Sequence, residues 1–162
     1  MTNKTLPIQR RVEKAIKWRN IAIEAIIAIL IVVLLHTGIS KLIDWRSFEI
    51  QMFQSPIFHE YYRIVTFGGP ILEIIIALML VIKRTRFVAF IASFLLMGFF
   101  TWYVYFLMTT IPNLPCSCGG VVGWLNWTQH LILNIFLTII SLIGALMWRN
   151  NRKEESKTKN KK

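Results

Sequence analysis

The amino-acid sequence predicts an all-α integral membrane protein, a bundle of four transmembrane helices with short interfacial helices. Of its 162 residues, 55% are hydrophobic and 17% are charged, which is too apolar for a soluble domain. The apolar residues occur in four blocks, each close to the ~20 residues that cross a ~30 Å hydrocarbon core. Lysine and arginine cluster between these blocks in an alternating pattern, which predicts the orientation of the helices.

The predicted spans follow the apolar blocks along the chain. They cover residues 21–43, 65–82, 87–108 and 128–148. We therefore expect one transmembrane domain over residues 21–148. A basic, cytoplasmic, interfacial segment at 1–20 precedes it, and a basic, disordered, cytoplasmic tail at 149–162 follows it. The lipid bilayer is the first predicted partner.

The charges of the connecting segments predict that both termini are cytoplasmic. Residues 1–20 hold six basic residues against one acid, the turn at 83–86 holds three, and the tail from Arg149 holds seven against two acids. The segment at 44–64 has two basic residues against three acids, and the segment at 109–127 has no charge. The positive-inside rule then places the segment at 109–127 on the periplasmic side of a bacterial inner (cytoplasmic) membrane. The net charge of +11 serves topology and binding to anionic lipid, and no nucleic-acid partner is predicted.

Two interfacial helices are predicted outside the spans. Apolar residues recur at helical spacing over residues 7–19, on the cytoplasmic side. On the other side, Trp45, Phe48 and Met52 recur at helical spacing after Asp44, which is a favourable N-cap residue. This second helix is expected either to anchor the chain in the interface or to cover the site as a lid.

The uncharged segment between the third and fourth spans holds the only two cysteines, Cys116 and Cys118. Outside the cytoplasm, such a pair lies where disulfides form and persist. A disulfide over one intervening residue requires a turn at Ser117, which Gly119 and Gly120 favour. Its small ring is expected to be strained, and strained disulfides are labile or catalytic. We predict no metal site, with capture of a soft ion such as Cu(I) by the two thiolates as the alternative.

Ionisable residues inside the spans are costly and therefore mark candidate sites. His36 and Lys41 in the first span, Glu73 in the second and His130 in the first turn of the fourth are expected at one membrane level with the cysteines. Lys41 or His36 can pair with Glu73, either as a structural bridge or as part of a functional site. Glu24 is expected near the cytoplasmic side, paired with a basic residue. His130 is the nearest candidate base for the thiols.

Tryptophan side chains are expected around the same level. Trp102, Trp124 and Trp127 flank or lie within the cysteine segment. Such residues form the interfacial aromatic belt of membrane proteins. Alternatively, they provide a stacking surface for a quinone ring, the electron acceptor that a membrane thiol oxidase needs. The sequence does not identify a cofactor, and a quinone is the candidate.

Two helix motifs and the cysteine segment resemble a known family. Gly-x-x-Lys at the end of the first span and Pro-x-x-Glu in the second resemble the DoxX-like membrane proteins, and the following Cys-x-Cys-Gly is similar to their MauE branch. The resemblance covers residues 20–148 and implies a four-helix fold and a redox association. For MauE it further implies maturation of the disulfide-rich light chain of methylamine dehydrogenase. The matching positions are Gly38, Lys41, Pro70, Glu73, Cys116, Cys118 and Gly119.

The sequence thus predicts thiol–disulfide chemistry that supports oxidation or maturation of exported proteins or peptides. Cys116 and Cys118 exchange by attack of a thiolate on a disulfide, with His130 as base or orienting group. One cysteine pair needs an external electron acceptor, either a quinone or a thioredoxin-like partner. Two alternatives to an oxidoreductase stay open. One is a soft-metal or small-molecule transporter with the cysteines as ligands, and the other is a non-enzymatic assembly factor.

Overall fold

The computed structural model describes residues 5–110 and 127–159. Within these two stretches the protein is entirely helical, without a β-strand, which confirms the predicted all-α fold. The helices are α1 (Thr5–Ile43), α2 (Trp45–Gln54), α3 (Tyr62–Val81), α4 (Arg86–Thr110) and α5 (Trp127–Lys159).

Four of these helices are long and apolar enough to cross a membrane. The spans are Lys14–Ile43, Tyr62–Val81, Arg86–Thr110 and Thr128–Arg152. The shortest, α3, has 20 residues and reaches ~30 Å at 1.5 Å per residue. The chain is therefore a multi-pass membrane protein, and each observed span lies over a predicted one.

The bundle core is built on an aliphatic stripe of α1. Ile23, Ile27, Leu30 and Leu34 recur every three or four residues and are almost completely buried. Apolar side chains on outward faces of the helices, Val32 for example, stay exposed, as expected for a bundle surrounded by lipid tails. The stripe packs in one cluster with residues of the other three spans: Ile76, Ala77, Leu80, Ala89, Phe90, Met97, Leu137 and Ala145.

Helices α4 and α5 pack closely through small and hydroxyl side chains. Thr101 Oγ1 and Thr138 Oγ1 lie 3.3 Å apart across this interface. Gly144 faces the ring of Phe90, which occupies the space that a Cβ would fill. Small residues and hydroxyl hydrogen bonds are typical of helix contacts in membranes, where burial of apolar surface gives little driving force.

The short helix α2 follows α1 almost directly and turns its apolar side towards the bundle. Phe48 and Met52 are buried, as the helical spacing predicts. Asp44 occupies the N-cap position, but its side chain makes no capping hydrogen bond. The helix ends before Pro56, whose ring cannot continue it, and the hydroxyl of Ser55 accepts hydrogen bonds from the next backbone N–H groups.

Both terminal helices continue past the predicted membrane boundary. The prediction of a disordered tail from residue 149 is corrected, because α5 runs on to Lys159. Its extension is held against α1 by an ion pair between Arg19 and Glu154 and a hydrogen bond between Asn20 and Asn151. The helix predicted at residues 7–19 is likewise continuous with the first span.

Arg86 contacts three other helices at the end of the bundle where the membrane span of α1 begins. This end is here called the Arg86 end. Its guanidinium binds both carboxylate oxygens of Glu24, at 2.5 and 3.3 Å, and its Nε donates to the carbonyl of Leu80 at 3.1 Å. The same guanidinium lies 5.2 Å from the ring centroid of Trp148. The basic partner expected for Glu24 is thus Arg86, and this contact ties together α1, α3, α4 and α5.

Candidate functional site

The candidate site lies at the opposite end of the bundle, where α1 and α3 approach closely. Gly38 makes this approach possible, because a Cβ at this position would lie 3.0 Å from the carbonyl oxygen of Pro70. One turn beyond Gly38, α1 presents Lys41, and one turn beyond Pro70, α3 presents Glu73. The two short motifs thus bring one cation and one carboxylate together at a helix contact.

Lys41 and Glu73 form a direct ion pair, with 2.5 Å between Nζ and Oε1. The side chain of Glu73 is 0% exposed, whereas that of Lys41 keeps 17% of its surface accessible. The other carboxylate oxygen, Oε2, is also buried and has no hydrogen-bond partner among the described residues. Breaking such a pair by removal of one partner typically costs about 3–5 kcal/mol, since a buried charge is left uncompensated.

Two aromatic rings cover the Lys41 ammonium. Its Nζ lies 4.6 Å from the ring centroid of Phe100 on α4 and 5.4 Å from that of Phe48 on α2. Cation–π contacts at these distances contribute roughly 0.5–2 kcal/mol, more where water is excluded. Lys41 is therefore surrounded by a carboxylate from α3 and by rings from α2 and α4.

Residues 55–58, which follow α2, pack against α4 next to these two rings. The hydroxyl of Tyr103 donates to Ser55 Oγ at 3.0 Å, and the rings of Phe58 and Tyr103 lie 5.1 Å apart. Ser55 is buried, so the connection between α2 and α3 packs against α4 at Tyr103, one turn beyond Phe100. Phe48 of α2 is buried beside Lys41, and the choice predicted for α2 between an interfacial anchor and a lid stays a prediction.

The two histidines of the predicted site have different surroundings. His130 lies in the first turn of α5 and is partly buried. His36 is exposed, and its Nδ1 lies 3.2 Å from Ser40 Oγ, one turn further along α1. The exposed His36 side chain therefore lies outside the Lys41–Glu73 pair, whereas His130 is in the first turn of the span that follows the cysteine segment in sequence.

The predicted cysteine and tryptophan positions fall partly outside the described residues. Trp102 is 51% exposed on α4, where its ring lies near those of Phe99 and Phe106 on the outer surface of the bundle. Trp127 is the first residue of α5, and its side chain is not described. The positions outside the described residues are Cys116, Cys118, Gly119, Gly120 and Trp124.

Sequence reasoning did not identify Phe48 and Phe100 as the rings over Lys41, nor Arg86 as the particular basic residue beside Glu24. Phe100 lies in a span whose faces are all apolar, so no periodicity distinguishes it from its neighbours. Arg86 is one of three basic residues in a short turn, and its role depends on the packing of four helices. Among the described residues, no group of three or more His, Cys, Asp or Glu side chains is arranged to hold a metal ion.

A comparison with protein-family models matches residues 19–147 to the family described as methylamine utilisation protein MauE. No curated protein and no solved structure matches the chain. The matched range takes in nearly all of the four spans, the Lys41–Glu73 pair and the segment with both cysteines. Since the match extends over most of its length, the chain belongs to the MauE family.

Proposed function

We propose that the protein is a membrane-embedded thiol–disulfide redox protein in which Cys116 and Cys118 are the exchanging pair. The observation that carries the proposal is the position of the only two cysteines in the chain. They occur in the uncharged segment between α4, which carries Phe100 beside Lys41, and α5, which carries His130 in its first turn. The lysine and arginine pattern favours an extracytoplasmic location for this segment.

The chemistry is exchange between the cysteine pair and an exported substrate. A thiolate of the substrate attacks the Cys116–Cys118 disulfide and forms a mixed disulfide, releasing one protein thiol. The second substrate thiolate then attacks the mixed disulfide, so that the substrate gains a disulfide and the protein holds two thiols. Two electrons pass to the protein in this way. His130, at the start of α5, is the group we assign to accept or return a thiol proton.

Reoxidation of the cysteine pair requires an acceptor of two electrons. A quinone accepts them, with two protons from the thiols, and becomes a quinol. A thioredoxin-like partner accepts them by reduction of its own disulfide. Exposure of Trp102 beside other aromatic rings on α4 supports the first route, because a lipid-soluble quinone reaches the protein from the bilayer.

The substrate class is exported proteins or peptides with cysteine pairs. Gly38–Lys41 and Pro70–Glu73 support placing the protein with the DoxX-like group, and the family description associates it with methylamine utilisation. In the MauE motif an aromatic residue follows Cys-x-Cys, whereas this chain has Gly119-Gly120. We therefore assign the class of substrate and not the methylamine dehydrogenase light chain itself.

The test uses the full chain in lipid nanodiscs and a reduced peptide with two cysteines. We expect the oxidised protein to form one peptide disulfide for every two protein thiols that appear. The Cys116→Ser and Cys118→Ser variants should lose this reaction, whereas Ser117→Ala, between them, should retain it. Redox titration should give a potential above the roughly −300 mV that bounds structural disulfides. A pair that stays reduced in oxidising buffer and binds Cu(I) stoichiometrically would replace this function with metal transport.

A further inference from the structure

The chain between α1 and the middle of α3 covers one side of the Lys41–Glu73 pair. We propose that residues 45–67, here called the cap, form a hinged lid that opens and closes over this pair. The cap comprises α2, the connection after it and the start of α3. The proposal does not depend on the cysteine chemistry, because it concerns only access to the ion pair.

Aromatic contacts hold the cap together as one unit. The ring of Trp45 on α2 lies 6.2 Å from that of Phe67 on α3, and the ring of Phe53 lies 5.3 Å from that of Tyr62. In the connection between them, His59 Nδ1 lies 2.7 Å from the carbonyl oxygen of Phe53. Because these contacts join α2, the connection and α3, we expect the cap to move as a rigid body.

A hinge in α3 separates the cap from the rest of that helix. Pro70 has no backbone N–H, so the carbonyl of Thr66 receives no helical hydrogen bond from it. A Cβ at Gly68 or Gly69 would meet no atom of the described residues within 4 Å, so no close helix contact requires a glycine there. Pro70 itself is fixed against α1, since a Cβ at Gly38 would lie 3.0 Å from its carbonyl oxygen. A glycine pair followed by proline is a typical point at which membrane helices bend.

The other end of the cap is joined to α1 through a single residue. Asp44 lies between Ile43, the last residue of α1, and Trp45, the first residue of α2. Its φ of −104° and ψ of 51° are not helical, and its side chain makes no capping hydrogen bond. The cap thus has a pivot at each end, Asp44 towards α1 and residues 68–70 towards the rest of α3.

The contacts between the cap and the bundle lie outside the bundle core. Among the described residues, the core cluster built on α1 includes no residue of the cap. A hydrogen bond from Tyr103 to Ser55 Oγ, at 3.0 Å, and the packing of Phe58 on the Tyr103 ring latch the cap to α4. Phe48 of the cap lies 5.4 Å from Lys41 Nζ. A unit with its own contacts and no share in the core can open locally while the core stays folded, and opening removes Phe48 from the ammonium.

Thiol labelling tests the proposal on the full chain in lipid nanodiscs, with Cys116→Ser, Cys118→Ser and Met52→Cys. Met52 is buried on the side of α2 that faces the bundle, so a small charged methanethiosulfonate reagent reaches a cysteine there only when the cap opens. Gln54→Cys, exposed at the end of α2, gives the rate of a thiol that needs no opening. When opening is fast compared with labelling, the ratio of the two rates measures the open population.

The latch is tested by removal of one hydroxyl group. Tyr103→Phe keeps the ring against Phe58 and should speed labelling of Met52→Cys roughly 2- to 12-fold, the effect of losing one hydrogen bond. Tyr105→Phe is the matched control, because Tyr105 is exposed on the same helix, and it should leave the rate unchanged.

The hinge is tested by stiffening it. Gly68→Ala combined with Gly69→Ala should slow labelling of Met52→Cys, by up to roughly fivefold per glycine, because alanine favours the helix. Gly98→Ala is the control. It gives α4 the same helix preference, its Cβ would make an ordinary contact at 3.9 Å, and the labelling rate should not change.

Three results would each overturn the proposal. They are a Met52→Cys thiol that reacts as fast as Gln54→Cys, a rate that Tyr103→Phe does not raise, and a rate that the two alanines at 68 and 69 do not lower. All of these measurements use a protein without the Cys116–Cys118 pair. Failure of the lid is therefore distinguishable from failure of thiol–disulfide exchange.

Discussion

At the residue scale, the two members of the buried ion pair differ in how many partners they have. Lys41 contacts Glu73, lies over two aromatic rings and keeps some exposed surface. Glu73 is fully buried and has Lys41 as its one hydrogen-bond partner in the described part of the chain. Removing the ammonium should therefore be more damaging than removing the carboxylate, because only the ammonium has alternative interactions.

This asymmetry predicts the outcome of a double-mutant cycle. We expect Lys41→Met to lower the free energy of unfolding more than Glu73→Gln, and both single variants to be less stable than the double variant. The coupling energy should be about 0.5–3 kcal/mol, as for other contacting pairs. Thermal or denaturant unfolding in one detergent measures it. His36→Gln is the control and should be neutral, since His36 is exposed and outside the pair. Additive effects would mean that Lys41 and Glu73 do not interact.

At the scale of helices, the run length of apolar residues made the spans predictable, and the spacing of Phe48 and Met52 made α2 predictable. Two properties of the helices could not be predicted from the sequence. The spans are apolar nearly all round, so their periodicity does not say which face meets which neighbour. The continuation of α5 depends on contacts with Asn20 and Arg19 across 131 and 135 positions of sequence, which the polar composition of the tail does not reveal.

The contact between α1 and α3 predicts how two glycines respond to the same substitution. A methyl group at Gly38 meets the backbone oxygen of Pro70, whereas one at Gly68 meets nothing within 4 Å. We expect Gly38→Ala to push the helices apart and lower the free energy of unfolding by about 1–3 kcal/mol. Gly68→Ala should be neutral or slightly stabilising, since alanine favours the helix. Equal unfolding midpoints for the two variants would contradict the close approach at Gly38.

At the scale of the whole molecule, the Arg86–Glu24 and Lys41–Glu73 ion pairs lie at opposite ends of an antiparallel bundle. Arg86 and Glu24 join the helices near the start of the α1 span, and Lys41 and Glu73 join them near its end. The sequence indicated the two levels through the depth of the charges in each span. It also predicts their orientation, with the Arg86 end cytoplasmic, from the clusters of lysine and arginine.

Labelling with a membrane-impermeant thiol reagent tests this orientation. After reduction of intact cells or right-side-out vesicles, we expect the reagent to modify Cys116 or Cys118 from the outside. In a background with both cysteines replaced by serine, an Arg84→Cys variant provides the control at the exposed turn between α3 and α4. It should react only after the membrane is opened. The reverse pattern would place the cysteine pair in the reducing cytoplasm.

The separation of the two ion pairs has a consequence for the choice of membrane. Glu24 and Lys41 are about 26 Å apart along α1 at 1.5 Å per residue. That distance is a few ångströms less than the roughly 30 Å of an average bilayer core. Lipids with longer acyl chains therefore impose a hydrophobic mismatch, which is relieved by thinning of the surrounding bilayer or by snorkelling of the flanking side chains. A change in acyl-chain length therefore acts on both ion pairs at once, because α1 contributes Glu24 to one pair and Lys41 to the other.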